Sequence, residues 1–352
     1  MKIEDRKTLL SEARAMSLTY ITQKDLGYTR KRIGKNFMYL DKDGKPVRDK
    51  EEIKRIKSLV IPPAWQNVWI STKANGHLQA TGYDVAGRKQ YKYHLLWSQH
   101  RNAHKHNRMA EFARALQSLR RQIERDLRKK EFTREKVLAL ALTVMDKTCI
   151  RVGNSAYTKL YGSYGLTSLR NKHIQIKGSQ MMIAFTGKKG VYQEIKLTHS
   201  RLCKMMKRLR DIPGQELFQY YDENGEKKSL KSEDINTYIL QHTGKDFTAK
   251  DFRTWWGTVT AITSLAAYPK FQTATEAKQN VNQTLEMVAN KLGNTKTVCK
   301  KYYIHPLVFT HYEDGKLHKY LEQIINGNAT RSAKAMQHEE KIVLNYLQRM
   351  CK

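Results

Sequence analysis

The hydrophobic pattern of the chain changes period once, near Asn107, and a chain that does so folds into two dissimilar parts. Over about residues 18–95, aromatic and β-branched residues come in short runs separated by turn signals. Phe37-Met-Tyr-Leu40 leads into the turn Asp41-Lys-Asp-Gly44, and Val68-Trp-Ile-Ser71 and His77-Leu-Gln-Ala80 flank Asn75-Gly76, a dipeptide suited to a hairpin. A small, mostly antiparallel β domain is therefore expected over residues 1–100. One short helix interrupts it from Asp49 to Leu59 and stops before Pro62-Pro63, because proline disfavours helical geometry in the residue before it.

Beyond Asn107 the apolar residues take helical spacing. Met109, Phe112, Leu116, Leu119, Ile123 and Leu127 recur at three- and four-residue steps, with Arg120, Arg121, Arg125 and Arg128 among them as a solvated face or one that meets phosphates. A second helix is expected at Arg134–Thr148, and further ones near 198–211, 231–243, 253–267, 272–291 and 315–350. Between them His173-Ile-Gln-Ile-Lys177 and Met181 to Ile195 read as strands around a turn at Gly187–Gly190. The expected fold is α+β, with residues 101–352 a mostly helical domain carrying one small sheet and the boundary near Trp97–Asn107. The chain has 352 residues and is 40% hydrophobic, enough for two cores.

Charge narrows the function. Lys and Arg number 65 against 33 Asp and Glu, a formal charge of +32, with a pI near 9.9. Such a surplus points to a polyanion, and nucleic acid is the expected partner. No apolar run approaches the ~20 residues that span a bilayer, and the N-terminus lacks the pattern of a secretory signal, so no membrane partner is expected and the cytosol or nucleoid is the expected location. Cys149, Cys203, Cys299 and Cys351 are far apart and form no CxxC pair, which fits inert thiols better than a disulfide framework or a zinc site. The histidines make no HExxH motif and no GxxxxGK[ST] loop is present, so neither a metal nor another cofactor is expected.

Breaking a phosphodiester without a metal requires a nucleophile, cationic donors for the charge that builds on phosphorus, and an acid for the departing oxygen. Arginine suits the donor role because its planar fork binds two oxygens and stays charged. Candidates for these roles are spread along the second domain. Arg151 lies in Cys149-Ile-Arg-Val-Gly-Asn-Ser-Ala-Tyr157, at the end of a helix; Lys188 lies in Phe185-Thr-Gly-Lys-Lys-Gly190, a turn whose glycines permit entry into a groove. Arg253 follows Lys250 in Lys250-Asp-Phe-Arg-Thr-Trp-Trp-Gly257, and Asn294 in Lys291-Leu-Gly-Asn294 is followed by Lys301-Tyr-Tyr303-Ile-His-Pro306.

Taken singly, each of these is an ordinary structural residue; the order Arg, hairpin Lys, Lys-x-x-Arg, Leu-Gly-Asn, Tyr resembles that of the type IB DNA topoisomerases of the compact bacterial and poxvirus type. Val60-Ile-Pro-Pro-Ala-Trp-Gln-Asn-Val-Trp-Ile70, Gly76-His-Leu-Gln-Ala-Thr-Gly82 and Gly87-Arg-Lys-Gln-Tyr-Lys-Tyr-His94 resemble the DNA-clamping β domain of that family. The likeness spans about residues 18–310. It implies a C-shaped clamp on duplex DNA, which acts as a monomer and relaxes supercoils through a 3′-phosphotyrosyl intermediate without ATP.

The resemblance also implies roles. Tyr303 attacks phosphorus, Arg151 and Arg253 hold the nonbridging oxygens, Lys188 protonates the 5′ oxygen, and Lys250 stands near Arg253. Arg88, Lys89, Gln90, Tyr91 and Tyr93 are expected to touch DNA. Asn294 stands where poxvirus and eukaryotic members have histidine, and its amide can donate a hydrogen bond but brings no charge. Tyr302 is the rival nucleophile; Ile304-His-Pro306 aligns the motif on Tyr303, and His305 is expected to be structural. A tyrosine recombinase would carry His-x-x-Arg and Leu-Gly-His instead, and a DNA-packaging protein would have no need of the four groups together.

Overall fold

The computed structural model describes residues 3–34, 36–85, 87–154, 158, 160–327 and 333–350. Tyr157 and Cys351, both singled out from the sequence, lie outside them. The chain forms two compact units, Met1–Lys105 and His106–Lys352.

In the first unit, helix α1 (Ile3–Ala15) precedes an antiparallel sheet of five strands, β1 (Gly27–Ile33), β2 (Asn36–Leu40), β3 (Gln66–Ser71), β4 (Leu78–Tyr83) and β5 (Lys89–Tyr93), in the order β2-β1-β3-β4-β5. Helix α2 (Lys50–Ser58) is set where the prolines and Asp49 require it. The Asp49 carboxylate accepts from the backbone N–H groups of Glu51 and Glu52, leaving fewer orphan donors in the first turn. Its Ile56 packs on Val68, Ile70 and Ala80. Strand β5 is an edge strand in which Lys89, Tyr91 and Tyr93 are exposed while Gln90 and Lys92 are half-buried, the two-residue alternation of a pleated strand. Helix α3 (Leu95–Asn107), in a stretch with no clear apolar periodicity, carries the chain across the boundary between units.

The second unit is mostly helical. Helix α4 (Met109–Leu127) buries all six residues of the expected apolar stripe. Helix α5 (Arg134–Thr148) is buried on nearly every side, with Thr133 capping its N-terminus. A three-stranded antiparallel sheet follows, β6 (Ile174–Lys177), β7 (Gln180–Thr186) and β8 (Tyr192–Thr198), then α6 (Ser200–Arg210) and a two-stranded ribbon of β9 (Gln219–Tyr221) and β10 (Lys227–Ser229). Helices α7 (Ser232–Thr243), α8 (Ala249–Leu265) and α9 (Ala274–Leu292) come next, α8 buried from Phe252 to Ile262 and packed against α9. A helix buried all round has to sit at the centre of its unit.

The stretch expected as one helix over 315–350 is two, α12 (His318–Gly327) and α13 (Ala333–Met350), preceded by the short helices α10 (Lys296–Tyr302) and α11 (Leu307–Glu313). Arg120 corrects a second expectation: it is not simply a residue of a solvated face, because its guanidinium is ion-paired with Asp146 and Glu340 at 2.7 Å each.

Candidate active site

Four of the residues singled out from the sequence come together where the C-terminal ends of α5 and α9 meet α8. Arg253 lies one turn into α8 and is only 4% exposed. A buried guanidinium must place its N–H groups on acceptors. One Nη donates to the carbonyl of Cys149 and the other to that of Leu292, at 2.7 Å for the latter. Both carbonyls are available because they stand at helix ends. Cys149 caps α5 in the left-handed conformation (φ 58°), and α9 ends at Leu292 with Gly293 as its left-handed cap (φ 56°). The buried Nε of Arg253 has no acceptor among the described residues. A donor held in that state suits an incoming oxygen anion.

Asn294 follows the same cap. Its side-chain oxygen accepts from Nη2 of Arg151 at 2.6 Å, and its amide nitrogen makes only a 3.4 Å approach to the Leu292 carbonyl. The Asn294 oxygen is thus committed to Arg151, which leaves the amide nitrogen as the end able to serve a ligand. Gly293 is favoured by its φ of 56°, and a Cβ there would come 2.4 Å from Nε2 of Gln193 on β8, which would have to move aside. The same Gln193 nitrogen would lie 3.2 Å from a Cβ on Gly187, so this side chain is wedged between the Leu-Gly-Asn turn and the hairpin that carries Lys188. Lys188 itself is exposed, in the turn between β7 and β8.

Tyr303 closes the group. It caps α10, and its ring centroid lies 5.0 Å from the Arg253 guanidinium carbon. Two α8 residues missed by sequence reasoning hold its backbone. A Cβ on Gly257 would meet the Tyr303 carbonyl oxygen at 2.7 Å, and Thr258 Oγ1 lies 3.3 Å from that oxygen and accepts from the His305 N–H at 2.9 Å. A glycine in a helix interior marks a close approach of this kind, and that is the only signal the sequence offered. Tyr302 takes a different course: it is 40% exposed, with Lys301 above its ring at 5.3 Å.

Electrostatics follow from the packing. Burial alone would raise the Tyr303 phenol, but the charges of Arg253, Arg151 and Lys250 outweigh it, and the phenol sits below its ordinary value of 10.0. Lys250 contributes from the exposed first turn of α8. Burial and then the Arg253 charge lower the Arg151 guanidinium, since two cations held together repel; a phosphate between them would relieve that repulsion. His305 is buried and held down to about 4, so it is neutral at pH 7, and its Nδ1 accepts from the Leu307 N–H at 3.3 Å, a structural role. The buried Cys149 and Cys299 thiols are pushed up to about 11 and stay protonated at neutral pH. The arrangement can receive a tetrahedral anion between Arg151 and Arg253 and present a phenol oxygen to it.

In the first unit, β5 divides the residues expected to touch DNA. Tyr91 and Tyr93 stack with centroids 6.0 Å apart and planes 8° apart, and the Lys89 ammonium lies 5.8 Å from the Tyr91 ring and bonds to Gln23. Gln90 is on the other face, where its amide donates to Asp84 at 2.9 Å, and Arg88 is ion-paired to the same carboxylate at 2.8 Å. Among the described residues no cluster of His, Cys, Asp or Glu is gathered for a metal, and no helix is long and apolar enough to cross a membrane.

The chain thus has a mostly helical unit in which two arginines lie about a tyrosine and a second unit built on an antiparallel sheet, and comparison with known proteins assigns the class. The family model for the catalytic core of eukaryotic DNA topoisomerase I matches residues 94–330, and that for the N-terminal domain of bacterial DNA topoisomerase IB matches residues 36–84. DNA topoisomerase 1B of Acanthamoeba polyphaga mimivirus is 32% identical over 285 residues, covering 79% of this chain and 85% of the viral protein. DNA topoisomerase 1B of vaccinia virus (strain Copenhagen) is 26% identical over 283 residues, covering 79% and 86%, and DNA topoisomerase I of monkeypox virus is 25% identical over the same length. The chain belongs to the type IB DNA topoisomerase family.

Proposed function

We propose that this chain relaxes supercoiled duplex DNA by cutting and rejoining one strand, with Tyr303 as the nucleophile. The observation that carries the reading is the setting of Tyr303: it is the tyrosine whose phenol the Arg253 and Arg151 charges lower, while its neighbour Tyr302 points elsewhere. The Tyr303 phenol gives up its proton to solvent and its phenolate oxygen attacks phosphorus; a bond to tyrosine forms and the bond to the 5′ oxygen breaks. Arg151 and Arg253 take the nonbridging oxygens, the Asn294 amide donates to one of them, and Lys188 gives the leaving 5′ oxygen its proton. The 3′-phosphotyrosyl ester keeps the energy of the phosphodiester, so the reverse attack rejoins the strand without ATP. Lys89, Tyr91 and Tyr93 bind the duplex by phosphate contact and by their stacked aromatic surface, with Arg88, Gln90 and Lys250 as further contacts. The protein acts as a monomer in the compartment that holds DNA.

The test is relaxation of a supercoiled plasmid with EDTA present and ATP absent, together with trapping on a suicide duplex and peptide mapping of the adduct. Wild type and Tyr302→Phe should relax the plasmid and carry the adduct on Tyr303, whereas Tyr303→Phe should do neither. An adduct on any other residue, or undiminished relaxation by Tyr303→Phe, overturns the assignment.

A further inference from the structure

We infer that the C-terminal helix α13 is a strut of the catalytic site, acting through Glu340 to fix the segment of α8 that carries Arg253. Helix α13, Ala333–Met350, lies beyond residue 330, where the match to the catalytic core ends. Its Glu340 is buried, with a carboxylate that accepts from Trp255 Nε1 at 2.9 Å and from two Arg120 nitrogens at 2.7 and 3.0 Å. Arg120 in turn donates to Asp146 at 2.7 and 3.0 Å, and Asp146 accepts from Trp256 Nε1 at 2.8 Å. Trp255 and Trp256 follow Arg253 by two and three residues, and consecutive helical residues point about 100° apart, so the two indoles grip α8 from two sides. The Lys291 ammonium lies 4.6 Å from the Trp256 ring.

The network touches every segment that locates Arg253. Asp146 precedes the Cys149 carbonyl by three residues, Lys291 precedes the Leu292 carbonyl by one, and both carbonyls receive the Arg253 guanidinium. Helix α13 also has an apolar seam, with Ile342, Val343, Tyr346 and Leu347 buried, which suffices to dock it. Burying a carboxylate beside that seam is costly compared with a hydrophobic residue of the same size. What the carboxylate adds is register: two fixed indole and guanidinium partners permit one rotation and one height of α8 against α4 and α5. Glu340 is thus a positioning residue that acts through Trp255 and Arg120.

This inference rests on the reading of Tyr303 and its arginines as the cleavage site. It is tested by single-turnover cleavage of a suicide duplex at saturating enzyme, well below the melting temperature, as a function of pH. The charged groups facing Tyr303 are Arg253, Arg151 and Lys250, so a misplaced Arg253 should both slow cleavage and move its acid limb to higher pH. We expect Glu340→Ala to cleave about tenfold more slowly with the limb shifted upward. Tyr346→Phe, on the same helix as Glu340, removes the 3.0 Å bond to His311 of α11 and should lower the melting temperature but keep the wild-type rate and limb. If Glu340→Ala does not fold, Glu340→Gln is read the same way. Wild-type rate and limb in the Glu340 variant, or equal slowing by Tyr346→Phe, sinks this inference alone. Absence of any covalent complex from wild type sinks the Tyr303 reading and this inference with it.

Discussion

At the scale of the residue, the site depends on short contacts that leave no room for added atoms. Gly257→Ala would set a methyl group 2.7 Å from the Tyr303 carbonyl and 3.0 Å from its Cβ, both tied to backbone. We expect a loss of about 1–3 kcal/mol in stability from overpacking, seen as a lower denaturation midpoint, and a larger loss in cleavage rate than in DNA affinity. The Tyr303 phenolate is favoured by cations, so removing one raises the pH at which it forms. Lys250→Met should therefore move the acid limb of cleavage upward, by less than removal of Arg151, since Lys250 is the smallest of the contributions named. Asn294→His should leave an active enzyme, provided the ring is neutral and one nitrogen accepts from Arg151 as the Asn294 oxygen does at 2.6 Å. A retained plasmid-relaxation activity checks this, and its loss would show that the amide is indispensable. The roles of these side chains were not visible one at a time; Gly257 in particular reads as a helix defect until Tyr303 is placed beside it.

Elements decide which residues can act together. The alternation of β5 puts Lys89, Tyr91 and Tyr93 on one face and Gln90 on the other, so they are not one patch, although they are consecutive in sequence. We expect Lys89→Gln to reduce the slope of log affinity against log salt by about one, the signature of a lost phosphate contact. Gln90→Ala should leave that slope unchanged, because its amide is bonded to Asp84 and carries no charge. Titration of a labelled duplex at several salt concentrations separates the two. Helix α4 illustrates the limit of periodicity. The six apolar positions of its stripe could be read from their spacing alone, but Arg120 among them could not be assigned, because its partners Asp146 and Glu340 come from α5 and from a helix 220 residues away. The very short strands β9 and β10 carry too few residues for any alternation to register.

For the molecule as a whole, burial sets the response to acid. His77, His173, His199, His305 and His311 are all lowered by burial, His305 to about 4. A histidine kept neutral in the folded state and free to protonate near 6.5 when unfolded contributes stability that is present above that value and is lost as pH falls toward the folded value. Melting temperature should therefore fall steadily from pH 7 to about pH 4, and His305→Gln should flatten part of that fall; a profile indifferent to the substitution would discount this residue. The +32 charge predicts in addition a steep salt dependence of DNA binding. By itself, the sequence determined the two-part organisation, the apolar faces of the longer helices, the basic character and the order of the reactive groups, because periodicity, composition and motif spacing are local properties of the chain. Only the tertiary structure decided that Tyr303 rather than Tyr302 meets the arginines, that two helix-end carbonyls and Gly257 hold the site, and that Glu340 of α13 bonds to Trp255 of α8 and to Arg120 of α4. Each of those contacts joins residues far apart in sequence, and packing alone chooses such partners.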